Sequence, residues 1–157
     1  MPTDLPSNPV PDAEDAGHWA PLVPELLVTD LERSLVFYRD LCGFRVRYAR
    51  PEDGFVYLEQ GGAQIMLEAL SDDGWLTGPL ALPFGRGINL QIEVAEIGPL
   101  HARLLAAGAV IFRPLQTDWY REGDIEHGQA QVMVQDPDGY LLRFMQPLGE
   151  RPAQPGA

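Results

Sequence analysis

The sequence predicts an α+β fold built from two βαβββ modules whose mixed sheets form cups. Three observations predict it. A strand–helix–strand–strand–strand pattern over residues 21–70 recurs over residues 88–147, and repetition of one supersecondary unit defines an architecture. The punctuation of the two copies aligns. The helix-capping acids are Asp30 and Glu96, the stops Gly43 and Gly108, and the turns Gly61-Gly62 and Asp138-Gly139. Finally, alternating runs flank Asp136-Pro-Asp-Gly139 between Gln131 and Phe144, which signals a hairpin.

In order, Leu22–Val28 reads as a strand, and Thr29 or Asp30 caps a helix through about Leu41. Leu31, Leu35, Phe37, Tyr38 and Leu41 supply its apolar face, with Phe37 and Tyr38 expected in the core. Phe44–Ala49, Gly54–Glu59 and Ala63–Leu70 read as strands. Residues 71–87, rich in Gly, Pro and Asp, form a linker whose Trp75 and Phe84 either contact a ligand or, as the favoured reading, pack it against the modules or a second subunit. In the second copy Ile88–Val94 reads as a strand and Glu96–Ala107 as a helix, with Pro99 tolerated in its first turn. Val110–Leu115, Ala130–Gln135 and Tyr140–Gln146 follow as strands, and Trp119-Tyr120 falls in a loop between the first two. On the last strand Leu141, Arg143 and Met145 share one face and Tyr140, Leu142 and Phe144 the other. An arginine in the middle of an otherwise apolar strand calls for an explanation.

Residues 1–20, with Pro2, Pro6, Pro9, Pro11 and four acids, read as a disordered or draped acidic tail, and 148–157 as a second tail. Residues 21–147 then make a single domain of the two modules. With 45% apolar and 22% charged residues the chain reads as soluble and globular. The net charge of -12 argues against nucleic acid and for cationic partners. No apolar run suits a membrane span, so no membrane partner is expected. The single Cys42 fits a reducing compartment, and the cytoplasm is the expected location. All eleven basic residues are arginine, which excludes lysine Schiff-base chemistry and the P-loop lysine.

The paired modules, the run from Leu26 to Tyr38 and the Asp-Pro-Asp-Gly-Tyr-Leu-Leu-Arg-Phe run ending at Phe144 together resemble the vicinal oxygen chelate superfamily. This superfamily holds glyoxalase I, extradiol dioxygenases, fosfomycin-resistance enzymes and bleomycin-resistance proteins. The resemblance covers about residues 21–147 and implies the glyoxalase/bleomycin-resistance fold. It is weak for activity, because one fold hosts many chemistries. Family enzymes hold a divalent metal at repeat-related positions, which counting places here at Val23, Met66, Asn89 and Arg143. Valine has no donor atom, methionine is a poor ligand for hard cations, and arginine repels a cation. Three histidines remain: His18 in the tail, His101 in a helix and His127 in a loop. None is read on a strand. The resemblance therefore implies a member without metal or cofactor.

Among the families named, that description fits the bleomycin-resistance proteins, to which Gly128–Gly139 with Trp119-Tyr120 before it is similar. The resemblance implies a homodimer that sequesters a cationic or aromatic ligand in a cup without chemistry. Candidate ligand-binding residues are Arg143, Trp119, Tyr120, Asn89, Gln91, Glu68, Met66 and Glu25. Arg143 either holds an anionic or carbonyl group or pairs with Glu68 or Glu93. Trp119 and Tyr120 form a stacking platform on a mobile loop or close a sheet edge. Glu25, Glu68 and Glu93 make the cup acidic or lie at its rim in water, and Asn89 and Gln91 hydrogen-bond a ligand or simply occupy a half-open sheet. Asp136, Asp138 and Gly139 are assigned to the turn. The alternative is a metal-dependent lyase, isomerase or oxygenase with ligands shifted to Glu25, Glu68 or Gln91; a third reading is a binder of an unrelated metabolite.

Overall fold

The computed structural model describes residues 18–155. The chain divides into two compact units, Met1–Phe84 and Gly85–Ala157. Each unit holds one four-stranded mixed sheet, so the fold is α+β.

In the first unit, β1 (Glu25–Val28) lies parallel to β4 (Ala63–Ala69), and β3 (Phe55–Gln60) and β2 (Arg45–Arg50) complete the order β1-β4-β3-β2. Asp30 caps α1 (Leu31–Leu35), accepting a hydrogen bond of 3.0 Å from the Arg33 N–H. The helix widens into a π-type segment over Val36–Leu41, where the Cys42 N–H reaches back to the Phe37 carbonyl at 3.0 Å. Gly43, at φ 86°, turns the chain out, as its position after the apolar run predicts. One face of the sheet, carrying Leu26, Val28, Val56, Leu58, Ile65 and Leu67, is buried. Phe37 and Tyr38 are buried with it, their rings edge to face at 5.1 Å.

The second unit repeats the plan in the order β5-β8-β7-β6. Here β5 (Asn89–Glu93) runs parallel to β8 (Leu141–Pro152), and β7 (Ile125–Gln135) and β6 (Val110–Glu122) follow. The helix α2 (Ile97–Ala106) starts at Glu96, but the cap comes from elsewhere: the Gln146 side-chain oxygen accepts the Ile97 N–H at 2.9 Å. Leu142, Phe144, Val132 and Val134 are buried, while Leu141 and Arg143 are half-buried, as strand parity predicts. The Asp136 carboxylate accepts N–H bonds from Asp138 and Tyr140, both at 2.9 Å, which assigns it to the turn.

Three expectations need correction. The strands of the second copy are far longer than the apolar pattern shows, and β6 and β7 meet at a tight turn where Gly123 has φ 60°. Trp119 and Tyr120 therefore lie on β6, paired with Gly128 and His127, and not on a loop. His127 is consequently on a strand. The expected tail at 148–157 is strand to Pro152, its ladder with β7 continuing past a bulge at Gly128/Gln129. Polar residues fill both faces of this stretch, so the period-2 apolar signal is missing although the hydrogen-bond ladder is intact. Finally, the linker tryptophan does not pack against the modules within the chain: Trp75 is 93% exposed, whereas Phe84 is buried. Most of the tail expected over residues 1–20 lies outside the described residues. No helix among the described residues is long and apolar enough to cross a membrane.

Candidate functional site

Each sheet has a second face opposite its apolar one, and the two second faces differ in chemistry. In the first unit, register places Glu25 beside Met66 and Leu27 beside Glu68 on the β1–β4 pair. Phe55 sits opposite both Glu68 and Arg50, and Tyr57 opposite both Met66 and Tyr48. One end of this face is covered by the chain's own N-terminal residues. The Ala20 N–H donates to the Gln64 side-chain oxygen at 2.8 Å, and the Gln64 amide donates to the His18 carbonyl at 3.1 Å. Trp19 then meets Tyr57 and Tyr48 edge-on at 5.2 and 6.1 Å.

A bulge on β2 between Val46 and Tyr48 supplies an extra residue, Arg47, and re-aims its side chain. Its guanidinium lies 3.7 Å over the Trp19 ring and 3.2 Å from the Glu59 carboxylate, and it also donates to the His18 carbonyl. Arg47 is only 2% exposed and Glu59 is buried beside it. Sequence reasoning missed this cluster, because an alternation count does not reveal a bulge.

The other end of the face is open. Glu25, Tyr48, Arg50, Phe55, Met66, Glu68, Asp73 and Trp75 line a pocket of about 300 Å³. Arg50 is its single basic residue, and its charge is already matched by Asp53 at 2.8 Å while it stacks 3.9 Å over Phe55. Three carboxyl groups and three aromatic rings therefore dominate the lining. The hydrogen bond that Glu25 makes with Glu68, reinforced by burial and by the Glu68 charge, pushes the Glu25 carboxyl up to about 7.

In the second unit, register places Asn89 beside Leu141 and Gln91 beside Arg143; Met133 flanks Arg143 on the other side. Gln131 is 5% exposed and donates its amide to Asp118 at 2.6 Å and to the Tyr120 hydroxyl at 2.5 Å. The Gln131 and Gln116 amides hold the Asp118 carboxyl below its usual range. Tyr120 thus shares the Gln131 face. Trp119 projects from the opposite face, over Gly128 and under the Arg151 guanidinium at 3.9 Å, so the two aromatics do not form one platform. A shallow groove of about 380 Å³ is lined by Gln91, Glu93, His127, Gln129, Met145 and Glu150, among others. His127 is held by Glu122 at 2.5 Å and Glu150 at 3.5 Å. Within the second unit no ion pair joins Arg143 to Glu93 among the described residues, and the Arg143 Nε is buried without a hydrogen-bond partner.

These residues do not suit a divalent metal. Val23 precedes β1, so register makes Glu25 with Met66 and Gln91 with Arg143 the equivalent pairs of the two repeats. Taken unit by unit, a carboxylate with a thioether and an amide with a permanent cation are each a poor donor pair. Among the described residues no three His, Cys, Asp or Glu side chains are grouped so as to hold a metal ion.

Comparison with known proteins identifies the family and the fold. Residues 17–144 match the model of the Glyoxalase/Bleomycin resistance protein/Dioxygenase superfamily. Bleomycin resistance proteins of Geobacillus stearothermophilus and Staphylococcus aureus are each 31% identical to this chain over 137 residues, covering 80% of it and 96% of theirs. TioX from Micromonospora sp. ML1 is 25% identical, with a TM-score of 0.63 over 83% of this chain and 100% of its own. A protein of unknown function from Agrobacterium tumefaciens, 24% identical, shares the fold with a TM-score of 0.61 over 83% of this chain and 96% of its own.

Proposed function

The chain belongs to the Glyoxalase/Bleomycin resistance protein/Dioxygenase superfamily, and from that premise we propose that it is a metal-independent binding protein that sequesters a cationic, partly aromatic small molecule. The observation that carries this reading is the pocket of the first unit. Glu25, Glu68 and Asp73 supply negative charge, and Tyr48, Phe55 and Trp75 supply rings that stack on a flat ligand or on its cation. A volume of about 300 Å³ is at the small end of ligand pockets and takes one ring system with its charged substituent. The net charge of -12 adds long-range attraction for a cation.

Bleomycin-type antibiotics are the first ligands to test, because the curated relatives are bleomycin resistance proteins. A homodimer in the cytoplasm is part of the proposal. The edges of both sheets, at β1 and β2 and at β5 and β6, give a second copy strands to cover.

The test is a titration of metal-free bleomycin into chelator-treated protein, followed by tryptophan emission. Saturable quenching that Glu68→Gln and added salt both weaken supports sequestration by the acidic pocket. Absence of any change at high drug concentration removes bleomycin as ligand. Binding that requires added metal overturns the metal-independent reading. Light scattering that finds one chain per particle removes the dimer.

A further inference from the structure

The first unit carries a contact that the acidic pocket does not use. At the end of the open face opposite that pocket, Arg47, Tyr57, Glu59 and Gln64 are buried, at 2–5% exposure. Residues 18–20 cover them, yet the covering ring of Trp19 is itself 54% exposed. The floor holds this segment by its backbone as well as its ring. The Gln64 side-chain oxygen accepts the Ala20 N–H at 2.8 Å, and the Gln64 amide donates to the His18 carbonyl at 3.1 Å. Arg47 donates to the same carbonyl and lies 3.7 Å from the centre of the indole ring. Tyr57 and Tyr48 meet that ring edge-on. A carbonyl, an electron-rich ring and an N–H are thus held in order, as in a bound peptide.

Two features make this cover removable. The contacts just named all run to side chains, and residues 18–24 form no strand. Pro21 and Pro24 have no N–H to give a ladder, and the bond from the Met66 N–H to the Pro24 carbonyl, at 2.9 Å, lies beyond the covering residues. The floor is also polar. Arg47 is matched by Glu59 at 3.2 Å and the Tyr57 hydroxyl donates to the Gln64 oxygen, so the uncovered floor is compatible with water. A permanent wall would gain more from apolar residues, because a buried ion pair adds little stability over them.

We propose that residues 18–20 are a displaceable strap, a built-in ligand on an aromatic subsite that an external aromatic amide enters only when the strap lifts. Residues 21–24 tether the strap to β1, so it competes at an effective concentration on the order of millimolar. An external group binds more weakly in proportion to the fraction of molecules whose strap is closed. Lifting the strap also uncovers Tyr48, which lines the acidic pocket, and so extends that pocket along the face. The strap has its own probes, and it stands or falls whether or not the pocket takes a cation.

The test uses the full chain labelled with nitrogen-15. In the parent, the Ala20 N–H should exchange with solvent at least a hundredfold faster than the Met66 N–H, because the strap opens without the sheet. Exchange of both at one rate, set by global unfolding, overturns the proposal in favour of a fixed wall. This comparison needs no variant, and it decides the matter if the variants below do not fold. The probes are N-acetyltryptophanamide and N-acetylleucinamide at millimolar concentration, followed at the Gln64 side-chain NH2 signals. Trp19→Gly removes the competing ring, and that protein should bind N-acetyltryptophanamide saturably and at least tenfold more tightly than the parent. N-acetylleucinamide offers the same carbonyl and N–H without the ring, and should bind neither protein. Gln64→Met added to Trp19→Gly should abolish binding of the tryptophan probe. Equal affinity in parent and Trp19→Gly, unmoved Gln64 signals in both, or equal binding of the two probes each overturns the proposal.

Discussion

The benzo ring of Trp119 covers Gly128 across the β6–β7 ladder: a Cβ built on Gly128 would stand 2.7 Å from two ring atoms and 2.9 Å from a third. The ring is held on its other side by Arg151, which is itself bonded to Glu126 at 2.7 Å. Gly128→Ala must therefore push the indole aside or bend the strand. Overpacking of this kind costs about 1–3 kcal/mol, to be read as a lower urea midpoint with unchanged slope. A Gly128→Ala protein as stable as the parent, with unaltered Trp119 emission, would contradict the packing described.

The same contact explains what the sequence could and could not reveal. Caps, stops and turns are local chemistry, and so Asp30, Gly43, Gly108 and Asp136 were legible and gave the repeat and topology. The parity of Leu142 and Phe144 against Arg143 was legible for the same reason, because the period of a strand is two. The hairpin of β6 and β7 was not, since its residues are polar on both faces and only the partner strand identifies them. Nor was the bulge that turns Arg47 onto Trp19, or the cap that Gln146 lends to Ile97 from far along the chain. Of the candidate site residues, Glu25, Met66 and Glu68 share one pocket and Arg143, Gln91 and Tyr120 one face of the other sheet. Trp119 projects from the opposite face, and Asn89 lies two residues before Gln91, the residue that pairs with Arg143.

Arg47 and Glu59 form a buried ion pair at 3.2 Å. Removing one partner leaves the other charge buried, which costs about 3–5 kcal/mol. Glu59→Gln should lower stability by an amount in that range, softened by the remaining Arg47 contacts with Trp19 and the His18 carbonyl. The double variant Arg47→Met/Glu59→Gln should lose less than the two single losses added, because the stranded charge is gone. Chemical denaturation of the four proteins decides it; strict additivity would mean that the pair does not interact.

Glu25 should make cation binding pH-dependent. Its carboxyl is raised to about 7 by the hydrogen bond with Glu68. Below that pH the Glu25 carboxyl is neutral; above it, negative. Affinity for a cationic ligand should therefore rise between pH 6 and 8, and Glu25→Gln should flatten the profile. The effect on stability has the opposite sign. The folded protein binds this proton more tightly than the unfolded chain, so the contribution is full below the ordinary carboxyl value of 4.5 and is lost as the pH climbs through about 7. Calorimetric titration across this range in parent and variant tests both, and a profile that Glu25→Gln leaves unchanged would assign the titration to another group.

Trp75 gives the most direct view of the pocket. It is 93% exposed although it belongs to the lining, beside Asp73 and across from Tyr48 and Phe55. An indole left in water at the mouth of an acidic, aromatic pocket gains contact only when something fills that pocket. Free protein should therefore show red-shifted emission that acrylamide quenches readily, and Trp75→Phe should remove most of the quenchable fraction. Trp119, half-buried under a guanidinium at 3.9 Å, should contribute the protected remainder, and Trp19, 54% exposed with Arg47 at 3.7 Å, should be quenched to an intermediate degree. A flat cationic ligand bound in the pocket should shield Trp75 and shift its emission to the blue. Stacking on one aromatic ring is worth about 0.5–1.5 kcal/mol, so Trp75→Ala should weaken the ligand by about three- to tenfold and leave folding stability unchanged. Protection from acrylamide that persists undiminished in Trp75→Phe would place the ligand away from this pocket.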